Sequence, residues 1–190
     1  MTRTGPPHIF TLPGWQGSGA QHWQMRWTAL FGDELVEQHD WMQPLRGDWI
    51  TRLEDVVQNQ LKKQPERPIA FVAHSLGCHL VAGWAALSPS VGKVAGALLV
   101  APPDPLQVNL PPQLHSWRKP VLSPLPFKTA LVASTNDPFC SFAAAQQLAQ
   151  NWGAELVHIV ERGHINADSG LADWSSGREL LHTTTNHYGR

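Results

Sequence analysis

Short apolar runs alternate along the chain with segments in which apolar residues recur every three or four positions. The runs predict buried strands at residues 8–12, 35–38, 69–74, 94–100, 129–133 and 155–160. The periodic segments between the runs predict helices. Strands that alternate with helices form a parallel sheet that helices cover on both faces. The pattern therefore predicts a single three-layer α/β domain over residues 1–190, with a mainly parallel sheet of about six strands.

Capping residues, glycines and prolines predict where these helices begin and end. The expected helices are one marked by Trp23, Trp27 and Leu30 that closes at Gly32, one capped by Asp48 and stopped by Pro65, one that ends at Trp152 before Gly153, and a last one that begins near Ser176. A further helix should start directly after the strand at 69–74, where the apolar residues change to helical spacing.

That change of spacing falls on Ser75. An apolar run of strand length stops there, and helical spacing begins with Leu76. Small residues, Ala73 and Gly77, stand two positions to either side, as a sharp strand-to-helix turn requires. The pattern is that of the nucleophile elbow G-x-S-x-G, with Ala in place of the first Gly. The alternative is an ordinary helix N-cap, since Ser commonly opens helices.

An acid and a histidine follow Ser75, each in a loop after a predicted strand. Asp137 follows the fifth strand, and His164 follows the sixth, directly after a Gly. The chain order Ser, acid, His is that of the α/β-hydrolases, in which catalytic loops lie at the carboxyl ends of strands. The imidazole takes the hydroxyl proton, and the carboxylate fixes the imidazole tautomer. We therefore predict an α/β-hydrolase fold with a Ser75–Asp137–His164 triad.

Two other carboxylates compete with Asp137 for the acid position. Asp104 comes soon after the fourth strand, where some hydrolases of this fold carry the acid. Asp168 lies four residues after His164, a position more natural for a helix cap or a loop hydrogen bond. The sharp turn at Pro138 favours Asp137, because it would present the carboxylate inward.

Such a site also needs backbone N–H groups that bind an oxyanion. One should belong to Leu76, directly after the nucleophile. The other should come from the loop after the first strand, where we choose Trp15, with Gln16 as the second candidate. Gly14 and Gly17 would let this loop approach the site closely. The loop has neither the glycine spacing nor the Lys of a phosphate-binding loop.

The remaining histidines are expected to have other roles. His74 should orient neighbouring loops, while His8 and His158 lie within strands and should fill the core or a sheet edge. The expected surface histidines are His22, His39, His182 and His187. His74, Cys78 and His79 could be taken for a metal cluster. The turn between them breaks any single helical face and no fourth ligand is spaced to match, so we expect no metal.

Composition excludes several other functions. Charged residues make up 15% of the 190 residues, with 14 Lys and Arg against 15 Asp and Glu. This balance, without basic clusters, argues against a nucleic-acid surface and an anionic-membrane patch. No apolar run is long enough to span a membrane, and no signal-peptide core follows residues 1–7. Because Cys78 and Cys140 form no C-x-x-C pair, we expect two reduced thiols in a cytoplasmic protein.

Residues 101–127 form a long, Pro-rich connection between the fourth and fifth strands. Connections of this length in compact domains are usually functional or mobile, so a partial lid over a pocket is one expectation. A plain surface excursion is the other. Trp15, Trp117 and Trp174 are candidates for lining an acyl or leaving-group pocket, with simple packing as the alternative.

Four blocks, spread over most of the chain, carry a resemblance to a known family. They are Leu12-Pro13-Gly14-Trp15 with Trp23, His74-Ser75-Leu76-Gly77, Asn136-Asp137-Pro138-Phe139 and Gly163-His164-Ile165-Asn166. The sequence resembles the small serine hydrolases that include the retinoblastoma-binding serine hydrolase and its bacterial relatives. The resemblance implies a compact α/β-hydrolase without a large cap, a triad of Ser75, Asp137 and His164, no cofactor, and hydrolysis of small esters or amides.

The retinoblastoma-protein partner of the animal member is not expected here. That interaction is associated with an L-x-C-x-E pattern, and the nearest match runs from Leu76 to Leu80. This match lacks the Glu and lies in the helix after Ser75, where it should be buried.

These observations favour a serine hydrolase that cleaves a small carboxylic ester or amide through an acyl-enzyme. An acyltransferase with the same triad remains an alternative, since only its second nucleophile differs. A protein-interaction module with little turnover is the other alternative, because a fold alone does not prove activity. An intact triad argues against that module. The sequence leaves the physiological substrate and the oligomeric state open.

Overall fold

A parallel sheet of six strands lies at the centre of residues 5–186, the part of the chain that the computed structural model describes. The strands are β1 (His8–Leu12), β2 (Glu34–Leu35), β3 (Ile69–His74), β4 (Val94–Val100), β5 (Thr129–Ser134) and β6 (Glu155–Ile159). They lie in the order β2-β1-β3-β4-β5-β6, and each neighbouring pair is parallel. The predicted fold class is confirmed.

Within residues 5–186, five α-helices cover the sheet on both faces. They are α1 (Trp23–Phe31), α2 (Arg46–Lys63), α3 (Leu76–Ala85), α4 (Phe142–Trp152) and α5 (Ser175–Thr185). Helices α2, α3 and α4 pack on one face, where alternate strand residues such as Phe71 and Leu99 point. Helices α1 and α5 pack on the other face, against Val72, Leu98 and Val132. This alternation follows from the two-residue period of a strand. Among the described residues, no helix is long and apolar enough to cross a membrane.

Strand β2 is shorter than the predicted strand at 35–38. The last ladder bond that it shares with β1 joins the Val36 N–H to the Thr11 oxygen, at 3.0 Å. The next donor on the β1 side would be Pro13, which has no N–H. The pairing therefore stops after Glu34–Leu35.

Helix α2 begins two residues before the predicted N-cap. Asp48 lies in its first turn, where a carboxylate interacts favourably with the helix dipole, and does not cap the helix. Leu45 occupies the cap position without a side-chain hydrogen bond. The Ser116 hydroxyl instead accepts a hydrogen bond from the Arg46 N–H, at 3.2 Å. A hydroxyl from a distant loop thus replaces the local cap that the sequence pattern suggested.

The connection from 101 to 127 contains one short 3₁₀ turn, Pro112–Trp117, and is tied to the body of the protein at several points. The Trp117 indole N–H donates to the Pro44 oxygen at 2.6 Å. Arg46 donates to the Lys119 oxygen at 2.6 Å, and the Trp152 indole N–H donates to the Val121 oxygen at 2.8 Å. These bonds fix the second half of the connection against α2 and α4.

Among the described residues, three imidazoles are buried between the sheet edge and its loops. His22 is 4% exposed, and His74 and His79 are each 5% exposed. The expectation that His22 lies on the surface is therefore wrong. Its Nδ1 caps α1 by accepting from the Gln24 N–H, and its ring packs 4.6 Å from that of His74. Capping by a histidine side chain turns the ring inward, which no local apolar pattern reveals.

The other histidines occupy less enclosed positions. His39 and His182 are exposed, as expected, and His158 is exposed on the edge strand β6. His8 is partly buried and donates to Glu34 at 2.7 Å. His187 lies outside the described residues.

Gly77 allows helix α3 to pass directly beneath the loop after β1. A Cβ at this position would lie 2.2 Å from the Leu12 oxygen and 3.0 Å from the Pro13 oxygen. Both are backbone atoms, so the strand end itself would have to move. We expect Gly77→Ala to lower the free energy of unfolding by roughly 1–3 kcal/mol, in the range of overpacked interiors. Urea denaturation at neutral pH measures the change.

The control for this substitution is Gly47→Ala in the first turn of α2. No described atom lies within 4 Å of the Cβ position at Gly47. Since Ala favours a helix over Gly by up to about 1 kcal/mol, this variant should be neutral or more stable. Equal stability of the two variants would contradict the packing argument.

Burial also makes stability depend on pH. It lowers the pKa of His22 to about 4 and that of His79 to about 4. The native state therefore binds fewer protons than the unfolded state between about pH 6.5 and 4. As the pH falls through this window, each group should lower the free energy of unfolding by about 1.4 kcal/mol per pH unit. Above the window, neither group should change the free energy of unfolding. Urea denaturation at half-unit intervals of pH measures the slope.

His22→Asn isolates one of these groups, because Asn keeps an N-cap acceptor but does not titrate in this window. The variant should lose less stability than the parent between pH 6.5 and 4.5. Identical slopes in the two proteins would show that His22 does not contribute.

Candidate active site

Three side chains from separate loops meet at the carboxyl edge of the sheet. Ser75 follows β3, Asp137 follows β5 and His164 follows β6. The Ser75 hydroxyl lies 2.9 Å from His164 Nε2. His164 Nδ1 lies 2.9 and 3.1 Å from the two carboxylate oxygens of Asp137. The three residues that the sequence singled out therefore form one continuous hydrogen-bonded chain.

Ser75 has a backbone conformation that non-glycine residues rarely adopt, with φ 54° and ψ −125°. This strain projects the side chain away from the sheet at the start of α3. The Ser75 N–H donates to the Val100 oxygen at 2.9 Å, so the end of β4 holds the turn. The fully buried Ala73 and the closely packed Gly77 are the small residues that the pattern required.

The loops after β5 and β6 are tied together below the carboxylate. The Asn136 side-chain oxygen accepts hydrogen bonds from the Gly163 N–H at 2.7 Å and from the Ser134 hydroxyl at 2.9 Å. Ser134 in turn accepts from the Arg162 N–H at 2.9 Å. Asp137 also accepts from the Phe139 N–H at 2.9 Å. These bonds fix the distance between the acid and the imidazole.

Sequence reasoning did not assign a role to Ser134 or Asn136. Asn136 lies directly before Asp137 in a turn motif, and Ser134 ends the buried strand β5. The sequence signal that could have identified them is the presence of polar residues at the end of a buried strand. Their partners lie 27 and 28 positions away, in the loop after β6, so no local pattern identifies those partners.

His164 is held from below through its backbone. His74 Nε2 donates to the His164 carbonyl oxygen at 2.8 Å, and the two rings lie 4.8 Å apart. The Trp23 indole N–H donates to the Ile165 oxygen at 2.8 Å. Burial keeps the pKa of His74 well below its usual value, so this ring is neutral at neutral pH. His74 therefore orients the neighbouring loop, as expected.

The competing carboxylates make other contacts. Asp104 accepts a hydrogen bond from the Leu106 N–H at 2.9 Å and shapes its own turn. Asp168 lies in the first turn of the short 3₁₀ helix Ala167–Ser169. Among the described residues, Asp137 is the carboxylate that contacts the ring of His164.

The backbone N–H groups of Leu76, at the start of α3, and of Trp15, in the loop after β1, have no protein acceptor among the described residues. Gln16 was the second candidate, but its N–H donates to the Trp41 oxygen at 3.0 Å. The loop approaches the turn closely at Gly14, where a Cβ would lie 2.6 Å from that of Ser75.

A cavity of about 530 Å³ opens onto Ser75 and His164. The loop after β1 forms one wall, and residues 103–114 contribute to another. Trp15 lines it, whereas Trp117 packs 5.7 Å from the Trp49 ring and Trp174 packs 4.9 Å from the Trp23 ring. Of the three Trp candidates, one lines the cavity and two pack in the interior.

The side chains of Cys78 and His79, which the sequence places near His74, contact backbone oxygens. Cys78 Sγ faces the Val100 oxygen at 3.4 Å, and His79 Nε2 donates to the Pro103 oxygen at 2.8 Å. Within residues 5–186, no three His, Cys, Asp or Glu side chains are grouped so that they could hold a metal ion. Cys78 and Cys140 are both free and buried, and burial raises the pKa of the Cys140 thiol to about 12.

Solved structures with similar folds include several hydrolases. A protein assigned as a YdeN-like hydrolase from Pectobacterium atrosepticum is 29% identical, with a TM-score of 0.79 over 95% of this chain and 91% of that chain. The YdeN gene product from B. subtilis is 20% identical, with a TM-score of 0.70 over 95% and 99% of the two chains. Est816, described as an N-acyl homoserine lactone degrading enzyme, is 18% identical, with a TM-score of 0.66 over 94% and 93%. At these identities the last two show the fold alone.

No curated protein matches the sequence. A family model described as serine hydrolase matches residues 9–183, which is most of the chain. This match confirms the resemblance that the four sequence blocks carry. The chain belongs to the serine hydrolase family, and the protein is a hydrolase.

Proposed function

We propose that the protein cleaves a small carboxylic ester or amide through an acyl-enzyme formed on Ser75. The observation that carries this proposal is the hydrogen-bonded chain from Ser75 through His164 to Asp137, which lies at the wall of a cavity. The family match supports hydrolysis, and the geometry supports the assignment of residues.

In the first half of the reaction, Ser75 Oγ attacks the carbonyl carbon while His164 Nε2 takes its proton. Asp137 holds the Nδ1–H tautomer and stabilises the imidazolium. The proton then passes to the leaving alcohol or amine as its bond to the carbonyl carbon breaks. In the second half, water attacks the acyl-enzyme while His164 takes a proton from the water. The imidazolium then returns this proton to Ser75 Oγ as the acyl–oxygen bond breaks, and the carboxylic acid leaves.

The negative oxygen that forms in each half needs donors that are already in place. The backbone N–H groups of Leu76 and Trp15 fit this role, because neither donates to a described residue. The N-terminus of α3 adds the positive end of its dipole. Since the Gln16 N–H is bonded to Trp41, Trp15 is the better assignment for the loop donor.

Residues 101–127 act as a fixed wall of this site in our proposal, and not as a mobile lid. Pro103 is held by His79 at 2.8 Å, and Trp117 is held by Pro44 at 2.6 Å. Leu110 and Leu114 are each 6% exposed, so their side chains belong to the core. Opening the segment would expose that apolar surface and break these hydrogen bonds.

The nucleophile is tested by Ser75→Ala. Turnover of p-nitrophenyl butyrate should fall by up to about 10⁶-fold, because the acyl-enzyme cannot form. A fluorophosphonate probe should label the parent protein on Ser75 and should not label this variant. Mass spectrometry of the labelled peptide and thermal unfolding of each variant complete the measurement.

The matched control for the nucleophile is Ser176→Ala, at an exposed position in α5. This variant should keep both labelling and turnover. Retained turnover in Ser75→Ala would refute the assignment. Analysis of the products separates hydrolysis, which releases the free acid, from acyl transfer to an added alcohol.

The acid is tested by comparing three isosteric substitutions. Asp137→Asn should lower kcat by roughly 10⁴-fold, because an amide favours the wrong imidazole tautomer. Asp104→Asn and Asp168→Asn should keep most of the activity, because neither carboxylate contacts His164. A larger loss in either control than in Asp137→Asn would move the acid to another residue.

A further inference from the structure

The segment between Asp104 and Leu110 has an inverted pattern of polar and apolar side chains. Leu106 and Val108 are 69% and 90% exposed to solvent. The alternating residues Gln107 and Asn109 line the catalytic cavity. A segment that covered an apolar pocket would place its apolar residues inward, because burial of apolar surface is favourable. At positions 106–109 the order is reversed, because Leu106 and Val108 face solvent while the partly buried Gln107 and the exposed Asn109 line the cavity. This arrangement favours polar groups on the cavity side.

The two amides are available for a ligand. No described residue forms a hydrogen bond with the side chain of Gln107 or Asn109. The backbone around them is held by a bond from the Leu106 N–H to Asp104 and by a bond from Arg118 to the Leu110 oxygen. The turn is therefore held by other groups, and the two amide side chains do not stabilise it.

The described residues that line the cavity carry no fixed charge that could pair with an ionic substrate. Among the described residues, none of those that line it is Asp, Glu, Lys or Arg. Two of its histidines, His22 and His74, are neutral at neutral pH, because burial lowers the pKa of each. A carboxylate or ammonium group that entered would lose hydration without gaining a counter-ion, which is costly.

We propose that this cavity selects uncharged substrates that carry a hydrogen-bonding group, such as a primary amide or a hydroxyl, and that Gln107 and Asn109 recognise this group. An amide side chain both donates and accepts, so it suits such neutral partners. A site built to hydrogen-bond a substrate group also discriminates against analogues that lack it. The inference rests on the proposed function, since it concerns the substrate of the same site.

The substrate preference is tested with esters of nearly equal size and different end groups. One set varies the acyl half: the p-nitrophenyl esters of adipamate, which ends in an amide, of adipate, which ends in a carboxylate, and of 6-methylheptanoate, which ends in an isopropyl group. A second set varies the alcohol half, as butyrate esters of 4-hydroxybutyramide, 4-hydroxybutyrate and 4-methylpentan-1-ol. In at least one set, kcat/KM for the amide should exceed that for the carboxylate by at least about tenfold.

The role of the two amides is tested by a double variant of similar shape, Gln107→Met with Asn109→Leu. In the set that shows the preference, the ratio of kcat/KM between the amide ester and the isopropyl ester should fall by roughly tenfold. Using this ratio cancels differences in intrinsic reactivity and in the amount of active protein. A merely structural role would lower both values together and leave the ratio unchanged.

The matched control changes the two outward neighbours, as Leu106→Gln with Val108→Asn. This variant alters the same turn but should leave the ratio as it is in the parent protein. Three outcomes would overturn the inference in a protein whose Ser75 still reacts with a fluorophosphonate. They are an unchanged ratio in the first double variant, an equal change in the control, and a preference for the carboxylate ester. Failure of that probe to label Ser75 would overturn the proposed function, and the inference with it.

Discussion

The backbone turn at Ser75 is the constraint on which the rest of the site depends. A φ of 54° at a non-glycine residue costs free energy, so the surrounding structure has to hold it. The bond from the Ser75 N–H to Val100 holds one side. On the other side, α3 fits beneath the loop after β1 because Gly77 has no side chain. The same close approach places Gly14 of this loop against the Ser75 side chain.

A second group of interactions positions the imidazole and the carboxylate. These interactions hold the loops that carry the two side chains and do not involve the reacting atoms themselves. Asn136 joins the two loops that carry them, and His74 holds the backbone of His164. His74 is buried, so its ring would be costly to enclose without a partner, whereas Asn136 is exposed and acts through its two hydrogen bonds. The geometry of the proposed triad is therefore a consequence of a satisfied polar network as well as of the sheet.

The cavity combines this fixed chemistry with walls that carry no charge among the described residues. Its polar character comes from the backbone of the glycine-rich loop and from amides such as Gln107. The bonds that hold residues 101–127 favour a wall of constant shape. Selectivity would then arise from hydrogen bonding across a preformed surface and not from closure around the substrate.

Sequence patterns alone were enough to predict the six-stranded parallel sheet, the turn at Ser75 and the meeting of Ser75, Asp137 and His164 at one edge of the sheet. They suffice because strand and helix periods are local, and because the chain order of a triad is visible without coordinates. Strand β2 ends early because Pro13, which follows its partner strand β1, has no N–H to donate. Helix α2 begins early because Ser116, from a distant loop, accepts its first N–H. Both effects depend on pairing between distant segments, so the predicted ends of these elements were displaced.

Only the tertiary structure decided the burial of His22, the partner of Asn136 and the direction in which Gln107 points. A polar side chain has no periodic signal, and its environment is set by whichever segments the fold brings to it. Local strand, helix and turn preferences therefore determine which residues reach the edge of the sheet. The packing of segments far apart in sequence determines what each of those residues contacts there.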